Sequence, residues 1–451
     1  MNLTWIGVAE RVEYELRQCE EEGLNVNQLR AEWREIGSLA LSNNELQQRA
    51  NEFYLKLERT FPPGAEFPDE PSSWAGISSV LPVRGEEHQL ASLSKLGDRI
   101  QGGWLGRSAG CLLGKPVEKI PRSGIIALLS SNGTWPIRDY ISALGISEAV
   151  LRQYPWNKHA GKESLKENIV CMNEDDDMNY AMLNLSVFER YGTDFTTDDI
   201  AHAWLTMLPV LSTFSAERVA YANLIAGTDV YRAALVRNPY REWIGAQIRA
   251  DAWGWVSPGQ PGRAAMLAFR DAQLSHVRNG IYAEMFFAAA IALASVLDST
   301  EAIIRGAVEY IPPRSRLSDA IHFILSLPVQ DRHWDETVDL IYQKFGQYHW
   351  VHSINNASLV VAALLSSKGD FERAICNVVM GGWDTDSNGA TVGSIMGTMI
   401  GAEKIPRKWT GPLNNRIRSS LQGFDNVAIS DLAERTTRTS IGGSFKTTTQ
   451  K

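Results

Sequence analysis

GGWDTDSNGATVGSIMGTMIGA, residues 381–402, opens with two carboxylates two positions apart, Asp384 and Asp386, flanked by the hydroxyls of Thr385 and Ser387. It then runs into glycines at 389, 393, 397 and 401. A four-residue step keeps such residues on one face of a helix. Each interior glycine costs a helix ~1 kcal/mol relative to alanine, so the ladder implies a compensating gain, the close approach of a second backbone. Carboxylates at the head of that helix point to a hard cation near the protein's centre. A calcium-binding EF-hand is excluded. Asp384, Asp386, Asn388 and Gly389 fit the opening of its loop, but Ile395 stands at the twelfth position, where the loop needs a bidentate glutamate.

A second ladder, Gly102, Gly106, Gly110 and Gly114, lies upstream in GGWLGRSAGCLLGKPVE. Two ladders that face each other let their helices pack unusually closely, and this brings Glu118 towards Asp384 and Asp386. A third acidic group, Glu174 to Asp177, lies between them in sequence. Alone, four consecutive acids read as a solvated loop or helix start. Here the apolar run MNYAMLNLSVF follows, which sets the acids at the mouth of a buried helix.

These three motifs, in this order and spacing, resemble the ADP-ribosylglycohydrolase family, which includes the dinitrogenase-reductase-activating glycohydrolases. The resemblance spans roughly residues 96–402. It rests on GGWLGRSAGCLLGKPVE, EDDDMNY and GGWDTDSNGA. It implies an all-α fold, a compact multi-helix bundle around a dimetal centre, with two divalent cations, Mg²⁺ or Mn²⁺, that bind ribose and orient a water for N-glycosidic hydrolysis. By the same resemblance Asp175, Asp176 and Asp177 match the first metal motif, Asp384, Asp386 and Ser387 the second, and Glu118 a glutamate near the ribose. Glu118, Asp176 and Asp386 are the implied catalytic residues. The chain departs from the family pattern at Asp175, where many members have threonine, at Trp383, inserted after the glycine pair, and at Met178.

The 451 residues suffice for a sizeable core. With 44 Lys+Arg against 52 Asp+Glu the formal charge is −8 and no long basic run occurs, which argues against nucleic acid or an anionic membrane as partner. Cys19, Cys111, Cys171 and Cys376 are scattered, as buried thiols in a reducing compartment are. Lacking a basic leader or a long apolar stretch, the sequence predicts a cytoplasmic protein.

Residues 1–75 read as an N-terminal extension: three helices, the third capped by Asn43 or Asn44, then a proline-rich linker at 61–73. Residues 89–430 form the catalytic domain, with no βαβ rhythm and long alanine- and leucine-rich helices. The stretch 281–297, apolar nearly all round, belongs at the bundle's centre. Residues 436–451, rich in Thr, Ser and Gly, predict a loose tail.

Other chemistry fits less well. Residues 106–110 match G-x-S-x-G, but the strand that must precede a nucleophile elbow is replaced by a glycine ladder. Residues 110–115 miss the phosphate-loop spacing, and no H-E-x-x-H occurs. His276, Asn279 and Tyr282, bordering the apolar helix, and Trp383 are candidate substrate-binding residues. Trp253, Trp255 and Trp350 are further candidates for a stacking face, although most tryptophans fill core. The expected activity is metal-dependent cleavage of the N-glycosidic bond at the anomeric carbon of a ribosyl or ADP-ribosyl group, on a small molecule or a protein. The alternatives are a metabolite nucleoside or sugar N-glycosidase, and a non-catalytic ADP-ribose-binding or structural protein. Mutual repulsion among the aspartates predicts that Asp386→Asn leaves the metal-free protein at least as stable as before.

Overall fold

The computed structural model describes residues 4–65, 67–82 and 93–442. Among them the protein is all-α: helices carry the architecture, and the only sheet is a two-residue antiparallel pair, Arg416–Ile417 with Val427–Ala428. No described helix is long and apolar enough to cross a membrane.

The two ladders lie on the helices Leu93–Gly114 and Thr385–Ile400, which run antiparallel against each other. A Cβ added at Gly110 would stand 1.9 Å from the Gly389 carbonyl oxygen, at Gly106 2.1 Å from that of Gly393, and at Gly102 2.2 Å from that of Gly397. Backbone therefore meets backbone over four turns, and dispersion along the contact offsets the helix cost of the glycines. Gly401 falls outside the helix: it is the C-cap with φ +86°, and an added Cβ would meet the Asp98 carboxylate at 1.9 Å. Gly106 to Gly110 sit in mid-helix, and Ser108 Oγ donates to the Trp104 carbonyl at 2.8 Å. Ser108 thus has neither the strand nor the exposure of a hydrolase nucleophile.

The predicted central helix runs Asn279–Ala294 with every residue buried. Its one acid, Glu284, accepts from Trp253 Nε1 at 3.1 Å and lies 3.5 Å from Arg249. The N-terminal helices, Val8–Glu21, Asn27–Ser38 and Asn43–Thr60, enclose a small core of their own around Val12, Leu16, Phe53 and Leu57. Ser42, rather than either asparagine, caps the third in a capping box with Glu45, because its hydroxyl reaches the Glu45 amide. Buried ion pairs fasten this unit to the rest: Arg241 to Glu15 at 2.7 Å and to Glu22 at 2.8 Å. The proline-rich strap lies across the core, where Glu70 pairs with Arg316 at 2.8 Å.

The tail expectation needs correcting. Thr436 to Gly442 belong to the helix Ile429–Gly442, and buried Thr436 accepts from Trp104 Nε1 at 3.0 Å. Residues 443–451 lie outside the described ones, as do residues 89–92 of the expected catalytic domain.

Candidate metal centre and cavity

Three segments deliver the acids. The upstream ladder helix ends in a short 3₁₀ turn, Lys115–Val117, which places Lys115 and Glu118 beside the head of the downstream helix. Thr385 Oγ1 donates to the Gly114 carbonyl at 2.8 Å and locks the two ends together. Asp175 is the N-cap of the helix Asp176–Tyr191, its Oδ1 accepting from the Asp177 amide at 2.9 Å. Gly382 (φ +80°) and Trp383 (φ +59°) turn the chain sharply into Asp384. The left-handed tryptophan is held by stacking on Tyr342, ring centroids 4.2 Å apart.

The acids converge. Oxygens of Glu118, Asp384 and Asp386 lie within 4.8 Å of one another, as do ligand atoms of Cys111, Asp175 and Asp177. Ser387 Oγ donates to Asp177 Oδ2 at 3.1 Å, joining the first and second motifs. Arg107, fully buried, reaches Asp177 Oδ1 at 3.3 Å and Asp251 at 2.7 Å. Lys115 Nζ contacts Asp175 Oδ2, lies 3.0 Å from Asp386 Oδ2 and 3.6 Å from Glu118 Oε2. Neither Arg107 nor Lys115 was singled out from sequence, although a cation in the last turn before Glu118 was a signal.

Burial and mutual repulsion hold protons on this centre. Burial, then the charges of Asp175 and Asp177, pushes Asp176 well above the usual carboxylate range. Burial and Asp175 do the same to Asp177, and burial and Asp386 to Asp384. Burial and Asp386 raise Glu118 to about 7. Asp386 is the exception: burial pushes it up, but the Lys115 ammonium and hydrogen bonds with Asp384, Lys115 and Glu118 together outweigh this and hold it at about 2. The divalent cations that the resemblance implies fit the Glu118, Asp384 and Asp386 donors, which are all hard oxygens, buried or nearly so.

A cavity opens onto these groups, lined by Lys115, Glu118, Asp176, Asp177, Asp384, Asp386 and Ser387. Its remaining walls include Phe214, Trp243, Trp350 and Trp5, the last from the N-terminal extension, with Glu217 and His159. Asp175 lies behind this lining, buried against Lys115.

The substrate-binding candidates do not line the cavity. His276 is buried with Nδ1 2.8 Å from Ser275 Oγ. Asn279 donates to Glu242 at 2.9 Å and accepts from the Leu317 amide. Tyr282 donates to the Pro71 carbonyl under the strap, and Trp383 is stacked away on Tyr342. The polar groups of Asn279 and Tyr282 are bonded inside the protein, the usual fate of such groups bordering a buried helix, whereas His276 Nε2 has no hydrogen-bond partner and lies 3.9 Å from Glu217 Oε1. Of the tryptophans considered, Trp253 and Trp255 fill core and Trp350 lines the cavity.

Fold and site together define a class: a helical bundle with a buried carboxylate centre suited to a hard cation, opening onto an aromatic-walled cavity. The ADP-ribosylglycohydrolase family model matches residues 92–441, and the chain belongs to that family. A solved structure described as an ADP-ribosylglycohydrolase-related protein complex is similar at 19% identity, over 77% of this chain and 99% of that one, with a TM-score of 0.47. No curated protein matches the chain.

Proposed function

We propose that the protein is a divalent-cation-dependent hydrolase that cleaves an N-glycosidic bond at the anomeric carbon of a ribosyl or ADP-ribosyl group. The observation that carries this is the convergence of Glu118, Asp384 and Asp386 with Asp176, Asp177 and Ser387 on one cavity. Glu118, Asp384 and Asp386 would hold a cation, with Asp176, Asp177 and Ser387 beside them. Bound Mg²⁺ or Mn²⁺ supplies a chelating site for ribose hydroxyls and lowers the pKa of a ligated water.

Glu118, on the cavity wall beside these acids, is placed to take a proton from the attacking water. As water oxygen bonds to the anomeric carbon, the C–N bond breaks and the nitrogen leaves with its electron pair and gains a proton. Asp386, ionised beside Lys115, and Asp176 supply the anionic field that stabilises developing positive charge on the ribose. Trp243, Trp350, Phe214 and Trp5 offer flat apolar faces for a base or another planar leaving group. The four buried, unpaired thiols fit a reducing, cytoplasmic setting.

The test is product chemistry. Incubation with ADP-ribosyl and ribosyl N-glycosides in ¹⁸O-water should release a sugar carrying one label at its anomeric oxygen. Turnover of phosphate or ester bonds with the glycosidic bond intact would refute the proposal.

A further inference from the structure

Six carboxylates surround this centre, yet they are not equally in need of a metal. In the group formed by Cys111, Asp175 and Asp177, each acid already faces a buried side-chain cation: Asp175 faces Lys115, and Asp177 faces Arg107 at 3.3 Å. The Lys115 side chain is only 6% exposed, and its ammonium has carboxylate oxygens of Asp175, Asp386 and Glu118 around it, the last two at 3.0 and 3.6 Å. Three carboxylates thus surround one ammonium as ion-pair partners, and Asp386 accepts its hydrogen bond. The ammonium sits where the two acidic groups meet, since Asp175 belongs to one and Glu118 and Asp386 to the other. In the Glu118, Asp384 and Asp386 group, by contrast, no salt bridge among the described residues reaches Asp384, and the other cation on Glu118 is Lys119, with a side chain 53% exposed. A buried, strongly hydrated point charge such as ammonium stays only where it is fully paired.

We infer that Lys115 takes the place of one of the two divalent ions, so that the chain binds a single ion, at Glu118, Asp384 and Asp386. This rests on the metal-centre reading above and departs from the expectation of two cations. Asp175 then anchors the ammonium rather than ligating metal. A second dication against Asp175 would have to displace Lys115 from its carboxylate partners.

The test is stoichiometry. The full chain, stripped with chelator and dialysed against excess Mn²⁺, is assayed for bound metal by mass spectrometry and for coupled ions by electron paramagnetic resonance. One ion per chain with an uncoupled Mn²⁺ spectrum is expected, and Asp384→Asn should remove it. Two ions, or a spin-coupled pair, overturn the inference while leaving the functional reading intact. No ion at all overturns the functional reading and this inference with it. Lys115→Met keeps the length and removes the charge; it should admit a second ion and produce the coupled spectrum. A folded Lys115→Met protein that still bound one ion would also overturn the inference.

Discussion

Gly393→Ala places one methyl group between the two ladder helices. An ideal Cβ there lies 2.0 Å from the Gly106 carbonyl oxygen and 3.3 Å from the Arg107 amide nitrogen, whereas real Cβ atoms essentially never come closer than 3.0 Å to a neighbour. The helices must therefore part by about 1 Å at that level, and a gap of this size forfeits roughly a quarter to a half of the dispersion energy of each affected contact. Overpacking costs ~1–3 kcal/mol, and losing a helical glycine returns ~1 kcal/mol. The obstacle is main chain, which cannot turn aside as a side chain does, so the upper end applies and the net loss is about 2 kcal/mol. With a urea slope of about 3 kcal/mol per molar, the unfolding midpoint falls by roughly 0.7 M. Gly97→Ala is the control on the upstream helix, since its nearest neighbour is Thr437 Cγ2 at 3.9 Å; it should be neutral or stabilising by up to ~1 kcal/mol. Equal midpoints for Gly393→Ala and Gly97→Ala would refute the backbone-to-backbone packing.

Asp384→Asn relieves a carboxylate held above its usual range by burial and Asp386, so it should raise the melting temperature of the metal-free protein and abolish the rise on adding Mn²⁺. Asp386→Asn should instead lower it, because it breaks the 3.0 Å pair with buried Lys115; calorimetry without metal separates the two, and this reverses the expectation drawn from repulsion alone. Glu118 is raised from 4.5 to about 7, so the folded state binds the extra proton. Its stabilising contribution is complete below pH ~4.5 and is lost as pH rises through ~7, which a pH series of urea midpoints on metal-free protein should show. Metal must displace such protons, so Mn²⁺ affinity should rise with pH, as titration calorimetry in buffers of different ionisation enthalpy would report. Arg107→Met strands Asp177 and Asp251 without their cation and should cost about 3–5 kcal/mol, read as a fall in urea midpoint.

The bundle and the meeting of the acids were legible because glycines in register have few explanations other than backbone contact, and acids at the heads of such helices must then meet. The ends of the chain were less legible. Thr436 looked like loose tail by composition, but its hydroxyl has a partner 332 residues away in Trp104. The cavity walls were hidden for the same reason: Trp5, Phe214, Trp243 and Trp350 share no local pattern and meet only through tertiary packing. Asn279 and Tyr282 lie away from the cavity, and polarity beside a buried helix looks the same in sequence whether it serves a ligand or satisfies Glu242 and the strap. Lys115 stood in plain view in GKPVE, yet its meaning depends on Asp175 and Asp386, which only the fold brings to it.

The most direct measurement is turnover of an ADP-ribosyl N-glycoside by the chelator-stripped protein before and after Mn²⁺ or Mg²⁺ is restored, with Asp384→Asn in parallel. The account predicts no turnover in the stripped protein, full recovery on metal addition, and no recovery in the variant. Undiminished hydrolysis after exhaustive chelation, or recovery by Asp384→Asn, would contradict it.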